Sequence, residues 1–427
     1  MLYAFAVVVN RHSELRIGVN ARRQRGAPLC CRAPWELTPE KCSLFCSRLL
    51  VRVFTFTHQN LFTITRPPTA SNRLGIAFQY SDEFIKTKLE ISPLSIPLQK
   101  GIWRSQSMVF DGLPGFAADS LPDGWGNLLL HRQLTRIGER LDAVDPLRRL
   151  CWVGRQGMGA LEYEPEEKFR MDFHPDDIRL DTLANHAEEI LNDREAGQAL
   201  DELASLNGSS GGARPKIVCL VSPDKRVLRP GSTHSSQGDV GEPWLIKFRS
   251  SADSIESGAL EYAVSLLAKR AGIDMPETHL FFSEKGPGWY GIKRFDRTES
   301  GKLHMATAAG LLHCNFREPC LDYRTLMALT QRLSGACDLL EMLRRAYFNF
   351  VIDNRDDHAK NFSFVMNGAG EWRVAPAYDL VPATGGFEHM TALMGDGKRP
   401  PRKAFLQLAT AFGMAEGQDA ALSYCRP

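Results

Sequence analysis

Between residues 216 and 293 the chain runs strand, strand, amphipathic helix, strand, strand, and this order constrains the fold more than any other stretch. The first strand starts at Lys216 and ends at Val221, and "WLIKF" at 244–248 is the second. In "SIESGALEYAVSLLAKRAGI", Leu260, Val264, Leu267 and Ala271 recur at helical spacing and predict one apolar face. "MPETHLFF" and "WYGIKRFDR" then complete a strand–turn–strand. The order predicts a small antiparallel sheet with one helix packed on it.

On either side the pattern changes. After residue 300 the chain reads as mostly helical, and "CDLLEMLRRAYFNFVIDN" puts Leu340, Leu343, Tyr347, Phe350 and Val351 on one stripe of a buried helix. "NFSFVMNGAGEWRVAPAYDLVP" follows as a hairpin with its turn through Asn367–Gly370. Upstream, "RLGIAFQYSDEFI" reads as a strand and a turn, and the proline-interrupted "LEISPLSIPL" suits an edge strand. An amphipathic helix starts near Trp125, and "DPLRRLCWVGRQGMGALEYEP" reads as helix, glycine-rich turn and strand. Helix recurs around Thr182–Leu191, and "SPDKRVLRPGSTHSSQGDVGEP" is a long polar connection.

At 427 residues the chain exceeds one average core, so two or three domains or lobes are expected. A net charge of +2 provides no general attraction to nucleic acid or membrane. The apolar stretch Leu2–Val9 is too short to span a bilayer and lacks the flanks of a secretory signal, so an intracellular, cytoplasmic protein is expected. Residues 1–70 form a basic, cysteine-containing extension that ends in the linker-like "RPPTAS". Cys42 and Cys46 have the spacing of half a zinc site, but Cys30 and Cys31 are adjacent and make a poor second pair, so free thiols are expected.

The densest polar stretch is "NRDDHAKN" at 354–361, set between the buried helix and an apolar strand. Asp356 precedes Asn361 by five positions, the spacing of a kinase catalytic loop, in which the aspartate accepts a hydroxyl proton and the asparagine holds magnesium. The five-residue spacing selects Asp356 over its neighbour Asp357. Asp379, after the hairpin, is placed to supply a second hard oxygen to the metal. His358 suits loop orientation, and Lys360 suits phosphate contact or plain surface cover. Lys247, flanked by apolar residues on a strand, sits where a kinase keeps its phosphate lysine, with Glu256 or Glu261 of the next helix as partner. "NGSSGGARPK" offers Gly208, Gly211 and Gly212 as a loop able to approach phosphates, with Arg214 and Lys216 adding positive charge. Each element alone is also an ordinary capped turn, solvent-facing lysine or surface linker; their order is the stronger signal.

"LEISPLSIPL", "GLPGFAADSLPDGWGNLLL", "GGARPK", "WLIKF", "KRFDR", "DDHAKNFSF" and "PAYDLVP", in this order, resemble the HipA family of bacterial toxin serine/threonine kinases from about residue 72 to 415. The resemblance implies an α+β, two-lobed protein-kinase-like fold preceded by a small β-rich subdomain. Its parts would be 72–165 for that subdomain, 166–295 for the N-lobe and 296–427 for the helical C-lobe. It implies ATP and magnesium as cofactors, with Asp356 as catalytic base, Asn361 and Asp379 as metal ligands and Lys247 on phosphate. Gly211, Gly212 and Lys216 would form the phosphate loop, and Lys293 and Phe295 the adenine hinge. Ser209 and Ser210 are the autophosphorylation candidates.

The same resemblance implies a protein substrate such as an aminoacyl-tRNA synthetase, growth arrest, and restraint by a helix-turn-helix antitoxin. "LPDGWGN" is most similar to the lineage of larger single-chain relatives, which can carry a DNA-binding segment of their own. Residues 1–70 have no helix-turn-helix pattern, so DNA is expected only through a partner. The end at "LSYCRP" comes sooner than the family's last helix leads us to expect. Two other readings share these residues: a lipid or small-molecule kinase, since Asp356, His358 and Asn361 also satisfy D-x-H-x-x-N, and a degenerate kinase fold acting as an interaction module.

Overall fold

The computed structural model describes residues 50–54, 60–65, 75–105, 109–169, 178–193, 197–207, 211–231 and 241–414. The expectations for Cys30, Cys31, Cys42, Cys46, the arginine-rich arm, Gly208, Ser209 and Ser210 lie outside these residues.

The first sheet is antiparallel, with order β4-β3-β2-β1-β5, built from β1 (Leu50–Phe54), β2 (Asn60–Thr65), β3 (Ala77–Tyr80), β4 (Trp103–Arg104) and β5 (Glu162–Glu164). In β3 the side chains alternate, with Phe78 and Tyr80 buried and Gln79 exposed. The segment after Tyr80 is not the turn expected but helix α1 (Asp82–Thr87). Its Ser81 cap accepts the Phe84 N–H at 3.0 Å, and Asp82 and Glu83 fill the first turn. The edge strand expected over "LEISPLSIPL" is absent. Pro93 and Pro97 lack ladder donors, Ser92 and Ser95 pair through their hydroxyls at 2.8 Å, and Ile91 and Ile96 bury in a run of turns.

Helix α2 (Gly124–Arg136) begins where expected and buries Trp125, Leu129 and Leu134. Helix α3 (Pro146–Val153) is capped by Asp145 on the Leu147 N–H at 2.9 Å. Helices α4 (Leu180–Leu191) and α5 (Gly197–Leu206) bury Leu183, Ile190, Leu203 and Leu206 against the second sheet.

That sheet is the β–β–α–β–β unit. Strands β6 (Lys216–Val221), β7 (Leu228–Pro230), β8 (Glu242–Lys247), β9 (Thr278–Phe281) and β10 (Trp289–Lys293) pair antiparallel in the order β7-β6-β8-β10-β9. The short β7 lies inside the long polar connection and was not expected there. The register sets Lys216 opposite Lys247 and Lys247 opposite Tyr290, so three strands bring these residues together in one row.

Helix α6 (Ser257–Arg270) is rotated only partly from the face the spacing predicts: Val264 and the capping Ala271 are buried as expected, but Leu260 and Leu267 are not. It buries Glu261, Val264, Ser265 and Ala268, and leaves Leu260 at 47% and Leu267 at 52% exposure. Leucine spacing lost to charge pairing, because burying Glu261 under β8 gives it the Lys247 ammonium as partner.

The remainder is helical, with α7 (Tyr323–Ser334), α8 (Leu339–Val351) and α9 (Arg402–Ala411), plus β11 (His304–Thr307) paired to the hairpin β12 (Ser363–Met366) and β13 (Trp372–Val374). On α8 Leu343 is buried as expected, but Val351 is exposed and Met342, Arg345, Phe348 and Asn349 take the inner positions. One hydrophobic cluster runs from Phe78 and Phe116 through Leu161 to Leu326, Leu343 and Phe364, so the first sheet and the helical lobe share a core.

Candidate active site

Helix α8 ends in a polar anchor rather than a solvated turn. Asn354 is 1% exposed; its N–H donates to the Asn349 carbonyl at 2.9 Å and its Nδ2 to Asn349 Oδ1 at 3.0 Å. From that anchor the two aspartates diverge. Asp357 is fully buried and accepts the Tyr323 hydroxyl at 2.9 Å and the Thr391 N–H at 3.1 Å, with His389 Nδ1 at 3.2 Å. Asp356 is exposed. Asn361 Nδ2 donates to the Asp356 carbonyl at 2.8 Å, so the two ends of the five-residue spacing are tied together. Among the described residues Asn361 Oδ1 has no hydrogen bond, which leaves a hard oxygen for a cation.

Lys247 bridges two elements: its Nζ donates to Glu261 at 2.6 Å and to Asp379. The pairing selects Glu261; Glu256 stands exposed before the first turn of α6. Burial alone would raise the Asp379 carboxyl, but the Lys247 and Lys216 ammoniums outweigh it and hold the group well below the usual carboxylate range. Burial likewise opposes the Lys247 charge, and Asp379 and Glu261 overcome it and raise this lysine above its ordinary value. Lys216 lacks so close a carboxylate: burial and the Lys247 charge pull it down to about 8. For Asp356, partial burial and the nearby Asp379 carboxylate raise the carboxyl above its ordinary value, against the pull of His358 and Arg214.

These groups open on a cavity of about 140 Å³. Gly211, Gly212, Lys216, Lys247, Lys293, Phe295, His358, Lys360, Asn361 and Asp379, all expected from sequence, line it. Asp356 is absent from the lining and stands beside it through Asn361. Leu245, Ile292, Met158 and Met305 form the apolar part, and Phe295 stacks on Tyr378 with centroids 6.0 Å apart. The Tyr378 hydroxyl donates to the Lys360 carbonyl at 2.6 Å, so the hairpin end and the 354–361 loop are pinned to each other. Lys293 is paired with Glu242 at 2.5 Å, and Arg214 with Asp253 through two bonds of 3.0 and 3.1 Å.

A model of the HipA-like C-terminal domain matches residues 208–425, and one of the HipA N-terminal domain matches residues 68–164. The chain belongs to the HipA family. It is 27% identical over 278 residues to "Putative kinase Y4dM" of Sinorhizobium fredii, a match covering 61% of this chain and 62% of that protein. The chain thus spans less than two thirds of the length of that relative. It is 25% identical over 323 residues to "Putative kinase Y4mE" of the same organism, covering 72% of each. Among solved structures, the Shewanella oneidensis MR-1 HipA in complex with HipB and operator DNA is similar at a TM-score of 0.63 and 16% identity, covering 88% of each chain. That likeness carries the fold, the two-lobed kinase-like α+β architecture expected from sequence.

The HipA N-terminal domain contributes to the cavity itself, which the motif reading missed. Asp119, Asp123 and Met158 line it from the N-terminal side. Asp119 accepts the Thr307 N–H at 2.8 Å and the Thr307 hydroxyl at 2.7 Å, and burial raises it to about 6 despite the charge of Lys360. Met158 is held by the flanking glycines: the Gly159 N–H donates to buried Asp296 at 2.7 Å, and Arg297 reaches the Gly157 carbonyl at 2.7 Å. The only sequence trace of this contribution was the run "ADSLPDGWGN" and the glycine-flanked methionine.

Proposed function

We propose that this HipA-family chain is an ATP- and magnesium-dependent protein serine/threonine kinase of the toxin type. The observation that carries the reading is the Glu261–Lys247–Asp379 charge cluster, opening on a cavity that Gly211, Gly212, Lys216 and Asn361 also line. The residues present fit the two cofactors. Asp379, kept ionised, and Asn361 are hard oxygen donors of the kind magnesium takes. Gly212, at φ +102°, leaves space that a Cβ would fill 2.4 Å from Lys216 Nζ.

In this reading Leu245, Ile292, Phe295 and Tyr378 receive the adenine. Lys216 and Lys247 hold the phosphate chain, and the glycine backbone approaches it closely. Magnesium, when bound, neutralises charge on the phosphate oxygens. Asp356 accepts the proton of the attacking hydroxyl: it is open to a protein substrate, and its raised pKa makes it a stronger base than a free aspartate. Asp357 clamps the loop from beneath, and His358 and Lys360 support it.

The HipA resemblance extends the proposal to phosphorylation of an aminoacyl-tRNA synthetase, autophosphorylation at Ser209 or Ser210, growth arrest and a cytoplasmic location. Among the described residues no helix is long and apolar enough to cross a membrane. A helix-turn-helix antitoxin, with DNA reached only through it, belongs to the same reading and is supported by the HipA–HipB–operator complex of the Shewanella protein. The test is to incubate the purified chain with labelled ATP and magnesium and a cell lysate, then separate protein from small molecules. Label on protein, with phosphate at Ser209 or Ser210 by mass spectrometry, is the expected result. Label confined to the small-molecule fraction overturns the protein-kinase reading in favour of a small-molecule kinase.

A further inference from the structure

Asp123 stands at the N-cap of α2, where aspartate ordinarily accepts a backbone N–H of its own helix. Here it makes no such bond. Its carboxylate turns into the cavity instead, accepting the Gly212 N–H on Oδ1 and Lys360 Nζ on Oδ2 at 2.8 Å. The residue is only 7% exposed, so these bonds are made away from water. Its neighbours hold the glycine loop from the other side. The Trp125 N–H donates to the Gly212 carbonyl at 3.1 Å, and Gly124 approaches so closely that a Cβ there would lie 2.6 Å from Gly212 O. A carboxylate thus sits on a loop N–H and a cavity lysine, the two kinds of donor that cradle a phosphate.

We propose that Asp123 is an anionic surrogate for nucleotide phosphate, contributed by the N-terminal domain, which competes with the phosphate chain for Gly212 and Lys360. The inference rests on the nucleotide-site reading above. Two anions cannot share a buried N–H and one ammonium without repulsion, so phosphate binding requires Asp123 to leave. Asp123→Asn keeps the shape and an acceptor for Gly212, but removes the charge and the Lys360 pair. Binding of phosphate-bearing ligands then strengthens, and binding of a ligand without phosphate does not change.

The test is calorimetric titration of the full chain and of Asp123→Asn with a non-hydrolysable ATP analogue plus magnesium, and separately with adenosine. The expected result is roughly tenfold tighter analogue binding in the variant, the scale of one charge-assisted bond, with adenosine unchanged. Equal or weaker analogue binding in the variant, while wild type binds, overturns the inference and leaves the nucleotide site standing. An equal gain with adenosine also overturns it, because a loosened loop rather than phosphate competition would then be the cause. Failure of both proteins to bind the analogue overturns the nucleotide site and the inference together. Asp123→Ser, titrated in the same way, provides the measurement if the asparagine variant does not fold.

Discussion

Replacing each of two adjacent aspartates by alanine should produce opposite phenotypes. Asp357→Ala removes the acceptor of the Tyr323 hydroxyl, the Thr391 N–H and the His389 ring, all within a fully buried network. A buried donor left without its partner costs about 1–3 kcal/mol. Asn349 still reaches the Tyr323 hydroxyl, and burial works against the Asp357 charge, so the lower half of that range applies to each donor. The loss is therefore about 3–6 kcal/mol in all. With an unfolding entropy of roughly 2.1 cal/mol/K per residue, a unit of this size melts roughly 5 °C lower. Asp356→Ala touches an exposed side chain and should shift stability by less than about 0.5 kcal/mol. It should instead lower phosphotransfer by about 100- to 10,000-fold, the range of a lost general base. Thermal melts beside a labelled-ATP assay measure both. If Asp357→Ala melts like wild type, or Asp356→Ala is the less stable of the two, the division of roles is wrong.

Further outcomes follow from the same charges and faces. Lys247→Met leaves Glu261 and Asp379 facing each other without their cation and should destabilise the chain by about 3 kcal/mol, read by denaturant unfolding. Lys216, pulled down to about 8, loses its charge as pH rises through that value, so kcat/KM for ATP should fall between about pH 7 and 9, and Lys216→Met should lack this limb. Stability runs the other way: the unfolded lysine holds its proton up to its ordinary pKa, so this group favours the fold increasingly from about pH 8 towards 10.5. Leu260→Ser and Leu267→Ser on the outer face of α6 should each change stability by less than about 0.5 kcal/mol, whereas Val264→Ala on the inner face costs about 1–3 kcal/mol.

Much of the cavity lining was legible because its residues fall in short, ordered stretches of the chain. Asn361, the lysine in an apolar strand and the glycine loop all line one cavity, with Asp356 beside it. Four of the five strands of the second sheet were legible as short apolar runs flanking one helix; β7, hidden in the long polar connection, was not. What failed was whatever depends on partners distant in the chain. Apolar spacing placed Val264 and Ala271 inward correctly but not Leu260 and Leu267, and the choice between Glu256 and Glu261 as the Lys247 partner stayed open until the fold buried Glu261. The edge strand read from the proline-interrupted "LEISPLSIPL" is instead a run of turns that buries Ile91 and Ile96. The Asp356/Asp357 choice rested on spacing alone; the structure adds that Asp357 is buried among Tyr323, His389 and Thr391 while Asp356 is exposed. Asp119 and Asp123 lie in a block that marked the family but not a site, and Met158 in none, since all three reach the cavity from the N-terminal domain rather than along a local pattern.

In the proposed kinase Asp356 directs phosphoryl transfer from this cavity to protein. The most direct test of that role is transfer of the γ-phosphate of labelled ATP to protein by wild type and by Asp356→Ala, both checked for equal melting temperature. Magnesium-dependent labelling of protein by wild type, and its loss in the variant, are the expected result. Undiminished labelling by Asp356→Ala would contradict it.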